Sequence, residues 1–233
     1  METCAIEYLR QNPLKHMDMI VPLKRGTAEL IYAANDGVCF RETESGAWMI
    51  SVSAEELGRE LLNSIPNVEL VSFHQAHMRE GLEAKFSRFT YIENFQAVYF
   101  GDKRLPICND LDIRPPNSEH LGIIVENYDI DIGLDYLRKR LESGALFGGF
   151  VGGVLVGFAG IHAEGSIGML KIFSEHRNKG YGEALTSFVV NHQLNTGIVP
   201  FGQAYTTNIA SLTLMRKLGF EISSEPVYWI FKE

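Results

Sequence analysis

Along the second half of the chain, hydrophobic and polar positions switch repeatedly between the period of a strand and that of a helix. Residues 146–151 and 154–161 are apolar runs separated by Gly152 and Gly153, a spacing that predicts a hairpin. A further turn at Glu164 and Gly165 leads into a third run, 166–173. From 182 to 195 the period changes, and Leu185, Phe188, Val189 and His192 fall on one helical face. His192 closes that stripe and reads as a core or boundary histidine. A strand is expected over 200–205. Asn208 then stands as an N-cap, Ser211, Leu214, Met215 and Leu218 recur at helical spacing, and Gly219 ends the helix. Upstream, a strand near 111–114 is stopped by Pro115 and Pro116, and helices are predicted over 119–127 and 132–142. In the second of these Leu134, Tyr136, Leu137 and Leu141 form the apolar stripe. Arg138, Lys139 and Arg140 read as a solvated face, with a binding role as the alternative. A last strand pair is expected around 221–231.

The first half gives a similar order. Helical segments over 2–25 are broken by Pro13 and Pro22. Strands at 29–34 and 38–42 flank a turn at Asn35, Asp36 and Gly37, and a strand over 48–52 leads to a helix ending at Ser64. Ser53 with Glu56 has the spacing of a capping box. A strand over 68–73, a helix near 75–87 and a strand over 91–100 complete it. The polar stretch 101–110 marks the expected boundary, giving halves 1–106 and 107–233.

The segment between the strand at 166–173 and the helix at 182–195 carries the candidate chemistry. Arg177, Asn178, Lys179, Gly180, Tyr181 and Gly182 form a short glycine loop opening into a helix. Such a loop aims successive backbone N–H groups and the positive helix end at one point, which suits a phosphate or pyrophosphate. No Gly-Lys-Ser/Thr follows, so it is not the Walker arrangement. The loop resembles the Arg/Gln-x-x-Gly-x-Gly/Ala signature of the GNAT superfamily of acyl-CoA-dependent N-acyltransferases. Residues 208–220 are similar to that family's Asn-x-x-Ala-x-x-Leu-Tyr-x-Lys-x-Gly-Phe helix, with Ser211 in place of alanine and Met215 in place of tyrosine. The resemblance covers roughly residues 111–233. It implies an α/β fold, with a mixed, mostly antiparallel sheet and helices on both faces. The first half would be a degenerate GNAT-like copy, an arrangement similar to glycine N-acyltransferase-type enzymes, with an unrelated α+β domain as the alternative. Where the second copy has its glycine loop, the first has Ser53, Ala54, Glu55 and Glu56, whose carboxylates would repel a pyrophosphate.

The resemblance further implies acetyl-CoA as acyl donor, without a metal, and a small-molecule amine as acceptor. Pantetheine would add to the free edge of the strand before the loop, using main-chain groups of Leu170 and Ile172. The six loop residues would hold the pyrophosphate, and Asn208 and Ser211 would approach pantetheine from the other side. Glu164 is the candidate general base, with an exposed turn carboxylate as the alternative. Glu175, His162, Lys171 and Tyr205 each admit an ordinary structural role as well. A CoA-binding module that has lost catalysis is the rival function, because Met215 cannot donate a proton to a departing thiolate.

Composition narrows this little further. The 233 residues are 45% hydrophobic and 21% charged, as in ordinary globular proteins. A net charge of −8 argues against general nucleic-acid binding and favours cationic small molecules. Cys4, Cys39 and Cys108 have no metal or CxxC spacing, and the N-terminus has no signal-peptide pattern, so a cytoplasmic protein is expected. Residues 145–161 lack charge and contain small-residue spacings, but six glycines and a short span favour the hairpin over a membrane helix. Oligomeric state is not legible.

Overall fold

The computed structural model describes residues 1–65, 69–85, 89–107, 110–128 and 133–232. They form a mixed α/β fold whose strands are mostly antiparallel. Two compact units share the chain: Met1–Val98 with Gln203–Thr213 and Glu221–Glu233, and Tyr99–Gly202 with Leu214–Phe220. This grouping differs from the linear halves 1–106 and 107–233, because two late segments pack within the first unit.

The first unit begins with helices α1 (Glu2–Leu9) and α2 (Pro13–Arg25). Pro13 opens α2, where a missing N–H costs nothing. Pro22, expected to break the helix, lies inside its last turns; the only distorted residue within α2 is His16 (φ −111°). Strands β1 (Ala28–Ala34), β2 (Gly37–Glu42) and β3 (Trp48–Val52) run antiparallel. Asn35 and Asp36 make the turn, and Gly37 is the first paired residue. A Cβ on Gly37 would lie 2.8 Å from Val52 Cγ1, so glycine is required there for close approach. Helix α3 (Glu55–Ser64) crosses over to β4 (Leu70–Phe73), parallel to β3. The expected capping box does not form. Ser53 donates its hydroxyl to Asp36 O at 3.0 Å, and Ala54 occupies the N-cap position.

A three-residue 3-10 turn and α4 (Arg79–Lys85) precede β5 (Phe89–Val98). The expected terminal strand pair is instead one strand, β11 (Glu221–Lys232), antiparallel to both β4 and β5. Ser-Ser-Glu-Pro, which has turn composition, makes a register shift between Ile222 and Pro226 rather than a reversal. Ser223 Oγ stabilises it by accepting from Gln96 N and donating to Glu225 O. Phe73, Ile50, Val71, Leu82 and Ile230 centre the core on the α3 face.

On the opposite face, Asp18 and His74 are buried together, with His74 Nε2 2.9 Å from Asp18 Oδ1. Gln96 donates to Asp18 and to the Leu14 and Lys15 carbonyls, while Gln203 accepts from Trp229 Nε1 at 2.6 Å. His16 donates from Nδ1 to Leu9 O, which leaves Nε2 to accept from Ser51 Oγ at 2.9 Å. Burial, reinforced by His74, pushes the His16 imidazole down to about 3.

The second unit contains β6 (Asp112–Arg114), α5 (Leu121–Asn127), α6 (Leu134–Glu142), the hairpin β7 (Leu146–Val151) and β8 (Val154–Ile161), and β9 (Ile167–Ile172). Helix α7 (Tyr181–Asn195) then crosses to β10 (Phe201–Tyr205), whose first two residues belong here, as does the end of α8 (Ile209–Lys217). Strands β6 to β9 are antiparallel neighbours in chain order, and β10 pairs parallel to β9. Both units therefore run antiparallel strands into a crossover helix and a parallel strand. Gly152 and Gly153 turn the hairpin at φ 57° and 83°, as the sequence predicts. Among the described residues no helix is long and apolar enough to cross a membrane. The stretch expected to be a linker is fastened to α7: Asn191 accepts from Leu105 N at 2.7 Å and donates to Leu105 O at 2.9 Å. Cys108 and Ile132 lie outside the described residues; Cys4 and Cys39 are free thiols, and burial holds Cys39 up to about 12.

Two outcomes are expected. Because folded His16 binds its proton only near pH 3, acidification below about 6.5 favours the unfolded chain, which does bind it. Urea midpoints of His16→Gln should therefore fall less steeply between pH 6.5 and 4 than those of the parent; equal slopes would show that His16 does not titrate this way. A fragment of residues 107–233 keeps β11 without either partner, and should aggregate in size-exclusion chromatography.

Candidate active site

Strand β9 is the organising element of the second unit. Its pairing with β8 skips a residue between Gly168 and Lys171, and Met169 sits in that bulge at φ 53°. A left-handed non-glycine residue is strained, and buried Met169 is held there by packing against Leu146, Phe158 and Phe173. On its other edge β9 has one ladder pair, Ile167 with Gly202. Phe173 N donates back to Val156 O at 3.0 Å, so by antiparallel alternation the N–H of Ile172 faces the open edge. Arg177 Nε donates to Ile172 O at 3.2 Å, which draws the guanidinium to the same edge.

The loop follows directly. A 3-10 turn (Ser174–His176) leads to Arg177, then Asn178 at φ 61° and Gly180 at φ 79°, the N-cap of α7. Left-handed residues at alternate positions curl the main chain so that neighbouring N–H groups converge. No side chain caps α7, and among the described residues the first backbone N–H after Arg177 with a main-chain partner is that of Ala184, which donates to Gly180 O at 3.1 Å. Asn178, Lys179 and Gly180 are exposed, and neither Arg177 nor Lys179 enters an ion pair with a described residue. A Cβ on Gly182 would meet Ile172 Cγ1 at 3.7 Å and Leu170 Cδ2 at 3.9 Å, so both side chains face the first turn of α7. They are half-buried there rather than fully enclosed in the core. Glu183, in that first turn, is paired with Lys217, a neutralising contact the sequence did not disclose.

Leu170, Ile172 and the six loop residues are thus contiguous. Glu164 stands at the opposite end of β9 and is buried, not the exposed turn carboxylate of the alternative reading. It accepts from Ser166 Oγ, and its turn is tied to α7 by Gln193 Nε2, which donates to Gly165 O at 2.7 Å. Asn208 and Ser211 belong to the first unit, where Asn208 Oδ1 caps α8 by accepting from Ser211 N at 3.1 Å. Met215 lies in the second unit with its methyl 3.1 Å from a Cβ built on Gly202. His192 is exposed, its ring 5.0 Å from that of Phe147, and so lies at the boundary rather than in the core.

Sequence reasoning undervalued two residues here. Tyr136, read as part of an apolar stripe, has its hydroxyl 2.9 Å from His162 Nδ1 and accepts from Ala163 N at 3.2 Å. Burial lowers the affinity of His162 for a proton, while Glu164 acts to restore it. Burial, and then Glu164, hold the Tyr136 phenol above its ordinary range. A Cβ on Gly168 would collide with His162 Nε2, so the imidazole lies over β9 beside the bulge.

The corresponding edge of the first unit is closed. Strands β3 and β4 pair at three positions, the Ile50 carbonyl faces His74 Nδ1 at 3.2 Å, and Val52 N donates to Gln75 Oε1 at 3.0 Å. Helix α3 begins with Glu55 and Glu56.

Solved structures share this fold. A GNAT-family acetyltransferase from Novosphingobium aromaticivorans superposes with a TM-score of 0.59 over 95% of this chain and 97% of its own, at 13% identity. A GNAT-family acetyltransferase from Colwellia psychrerythraea gives 0.53 over 97% of each chain at 15% identity. A Drosophila protein gives 0.64 over 84% of this chain and 73% of its own at 16% identity. The fold is that of the GNAT acetyltransferases. A family described as FR47-like protein matches residues 154–230, the stretch that holds β8, β9, the loop and α7 of the GNAT fold. Together these findings support the GNAT superfamily. No curated protein sequence matches the chain.

The fork between β9 and β10 leads to an expected contrast. A Cβ on Gly202 would press on Ile167 O at 2.7 Å, whereas one on Gly182 makes ordinary contact. Gly202→Ala should lower stability by about 1–3 kcal/mol, and Gly182→Ala should leave it unchanged or raise it by up to about 1 kcal/mol. Thermal unfolding of the two variants checks this; equal effects would mean that β9 and β10 are not held by that one pair.

Proposed function

We propose that the chain is an acyl-CoA-dependent N-acyltransferase that moves the acetyl group of acetyl-CoA to the amine of a small molecule by direct attack. The observation that carries this reading is the loop itself, with unclaimed N–H groups before Ala184, left-handed turns at Asn178 and Gly180, and two cations without ion partners among the described residues. Such a cradle suits a pyrophosphate. Arg177, Asn178, Lys179, Gly180, Tyr181 and Gly182 would hold it, and the open edge at Leu170 and Ile172 would take pantetheine as an added strand. Asn208 and Ser211, which the resemblance implies for pantetheine, lie in the first unit, where they close the first turn of α8. The N–H of Ile172 is the proposed donor to the thioester carbonyl, where it would stabilise the tetrahedral oxyanion.

Glu164 is proposed as catalytic through its charge, beside His162. The solved structures named as acetyltransferases of the GNAT or GCN5-related kind support acetyl-CoA as donor. The first unit is proposed to be a second GNAT-like copy without a cofactor loop, since its equivalent edge is paired and its helix begins with two carboxylates. No nucleic acid or membrane partner is proposed, and the compartment is proposed to be the cytoplasm. A CoA-binding module without turnover is the second reading, favoured by Met215 at the position where a proton donor is expected.

Gly182→Asp tests the loop without disturbing the protein. Its Cβ fits, and a carboxylate in the first turn favours the helix, but it sets a negative charge against the pyrophosphate. Calorimetry should find one acetyl-CoA per parent chain and at least about a tenfold weaker affinity in Gly182→Asp, with the melting temperature maintained. Unchanged affinity, or two molecules per chain, would contradict the assignment.

A further inference from the structure

Strand β10 changes allegiance at a single residue. Gly202 is its one ladder partner with β9, yet β10 stays beside β5 at both ends, where Tyr99 N donates to Pro200 O at 2.8 Å and Thr206 N to Glu93 O at 3.0 Å. Gln203, the next residue, is the first of β10 to group with the first unit. Its half-buried side chain makes three hydrogen bonds there. Nε2 donates to Gln96 Oε1 at 2.9 Å and to Asp18 Oδ2 at 3.3 Å, and Oε1 accepts from Trp229 Nε1 at 2.6 Å.

The polarity of these partners leaves the amide one orientation. An indole N–H only donates, so the Gln203 oxygen must face Trp229 and its nitrogen must face the other two. Gln96 is fixed likewise, because its Nε2 is committed to the Leu14 and Lys15 carbonyls and to Asp18 Oδ1, which leaves Oε1 to accept. Asp18, Gln96 and Trp229 are all buried, so breaking a bond would leave a polar group unpaired away from water. The direction of the three bonds matters as much as their number. In the sheet order β11, β5, β10, β9, Trp229 stands on β11 and Gln96 on β5, and Asp18 stands on α2, which packs on those two strands. All three therefore hold Gln203 from the side away from β9.

We propose that Gln203 is a positioning residue: by tying β10 to β5 and β11 immediately after Gly202, it keeps the rest of β10 from pairing with β9 and leaves that edge free for pantetheine. This rests on the acyltransferase reading. Beyond Gly202 the facing main-chain groups of the two strands have no partner in that ladder, so continued pairing is the competing state. A closed fork would occupy the amides that the acyl donor needs, and the donor would bind only the fraction of molecules that is open. The bulge at Met169 interrupts β9, and the Gln203 tether restrains β10.

The test compares the full chain with Gln203→Met, which keeps the length of the side chain and removes all three bonds, and with Trp229→Phe, which removes one. Each is read by hydrogen–deuterium exchange without CoA and by calorimetry with acetyl-CoA. In Gln203→Met the open-edge amides of β9, Ile172 among them, should exchange more slowly than in the parent even though the urea midpoint falls. Acetyl-CoA should bind it at least about tenfold more weakly. Trp229→Phe should move both readings the same way by less, and serves alone if Gln203→Met does not fold. A glutamine that only stabilises the fold would give the opposite sign, with faster exchange in β9 as stability falls. Faster or unchanged β9 exchange, or unchanged acetyl-CoA affinity, in the folded variants would overturn the tether. A parent that binds no acetyl-CoA would overturn the acyltransferase reading instead, and the exchange comparison would still decide for or against the tether.

Discussion

Everything proposed for the second unit depends on one constraint: β9 is paired along one edge except at its bulge and held at a single residue on the other. The bulge at Met169 makes this possible. An extra residue turns the strand away from the regular ladder, and the cost of a left-handed methionine is met by its burial among Leu146, Phe158 and Phe173. Gly202 completes the arrangement from the other side, since only a residue without a Cβ can approach Ile167 O that closely. A strand with one open edge offers unpaired main-chain groups, and the loop that follows offers more. Both suit a long, polar, phosphorylated chain molecule better than a compact one.

The two units make the point by contrast. Each carries antiparallel strands, a crossover helix and a parallel strand, yet among the described residues the strand before the crossover helix pairs with that parallel strand at three positions in the first and at one in the second. In the first, His74 and Gln75 reach the main chain of β3, and a network from Asp18 to Trp229 fills the opposite face. The same order of elements therefore gives a closed, hydrogen-bonded interior in one case and an accessible strand in the other. Glu55 and Glu56 against Gly180 and Gly182 express that difference in sequence.

Much of this was legible from residue patterns. The hairpin at Gly152 and Gly153, the loop and the Asn208 cap follow from local chemistry, and local chemistry is what a single sequence encodes directly. Pro22 and Ser53 misled because tertiary packing overrode local preference: buried neighbours hold α2 together, and Asp36 takes the Ser53 hydroxyl. The long-range pairing of β11 with β4 and β5 has no local signature. Nor did Tyr136 and His162 announce themselves, since they stand 26 residues apart and meet only when α6 packs on the end of β8. A tyrosine in an apolar stripe beside basic residues was the available signal.

The account's central claim is that acyl-CoA lies along the open edge of β9 with its pyrophosphate on the loop. Hydrogen–deuterium exchange of the full chain with and without CoA tests it most directly. Slowed exchange is expected at the amides of Ile172 and of the loop from Asn178 to Glu183, with β3 and the start of α3 unchanged. Saturating CoA that leaves those amides unaltered, or protects the start of α3 instead, would contradict it.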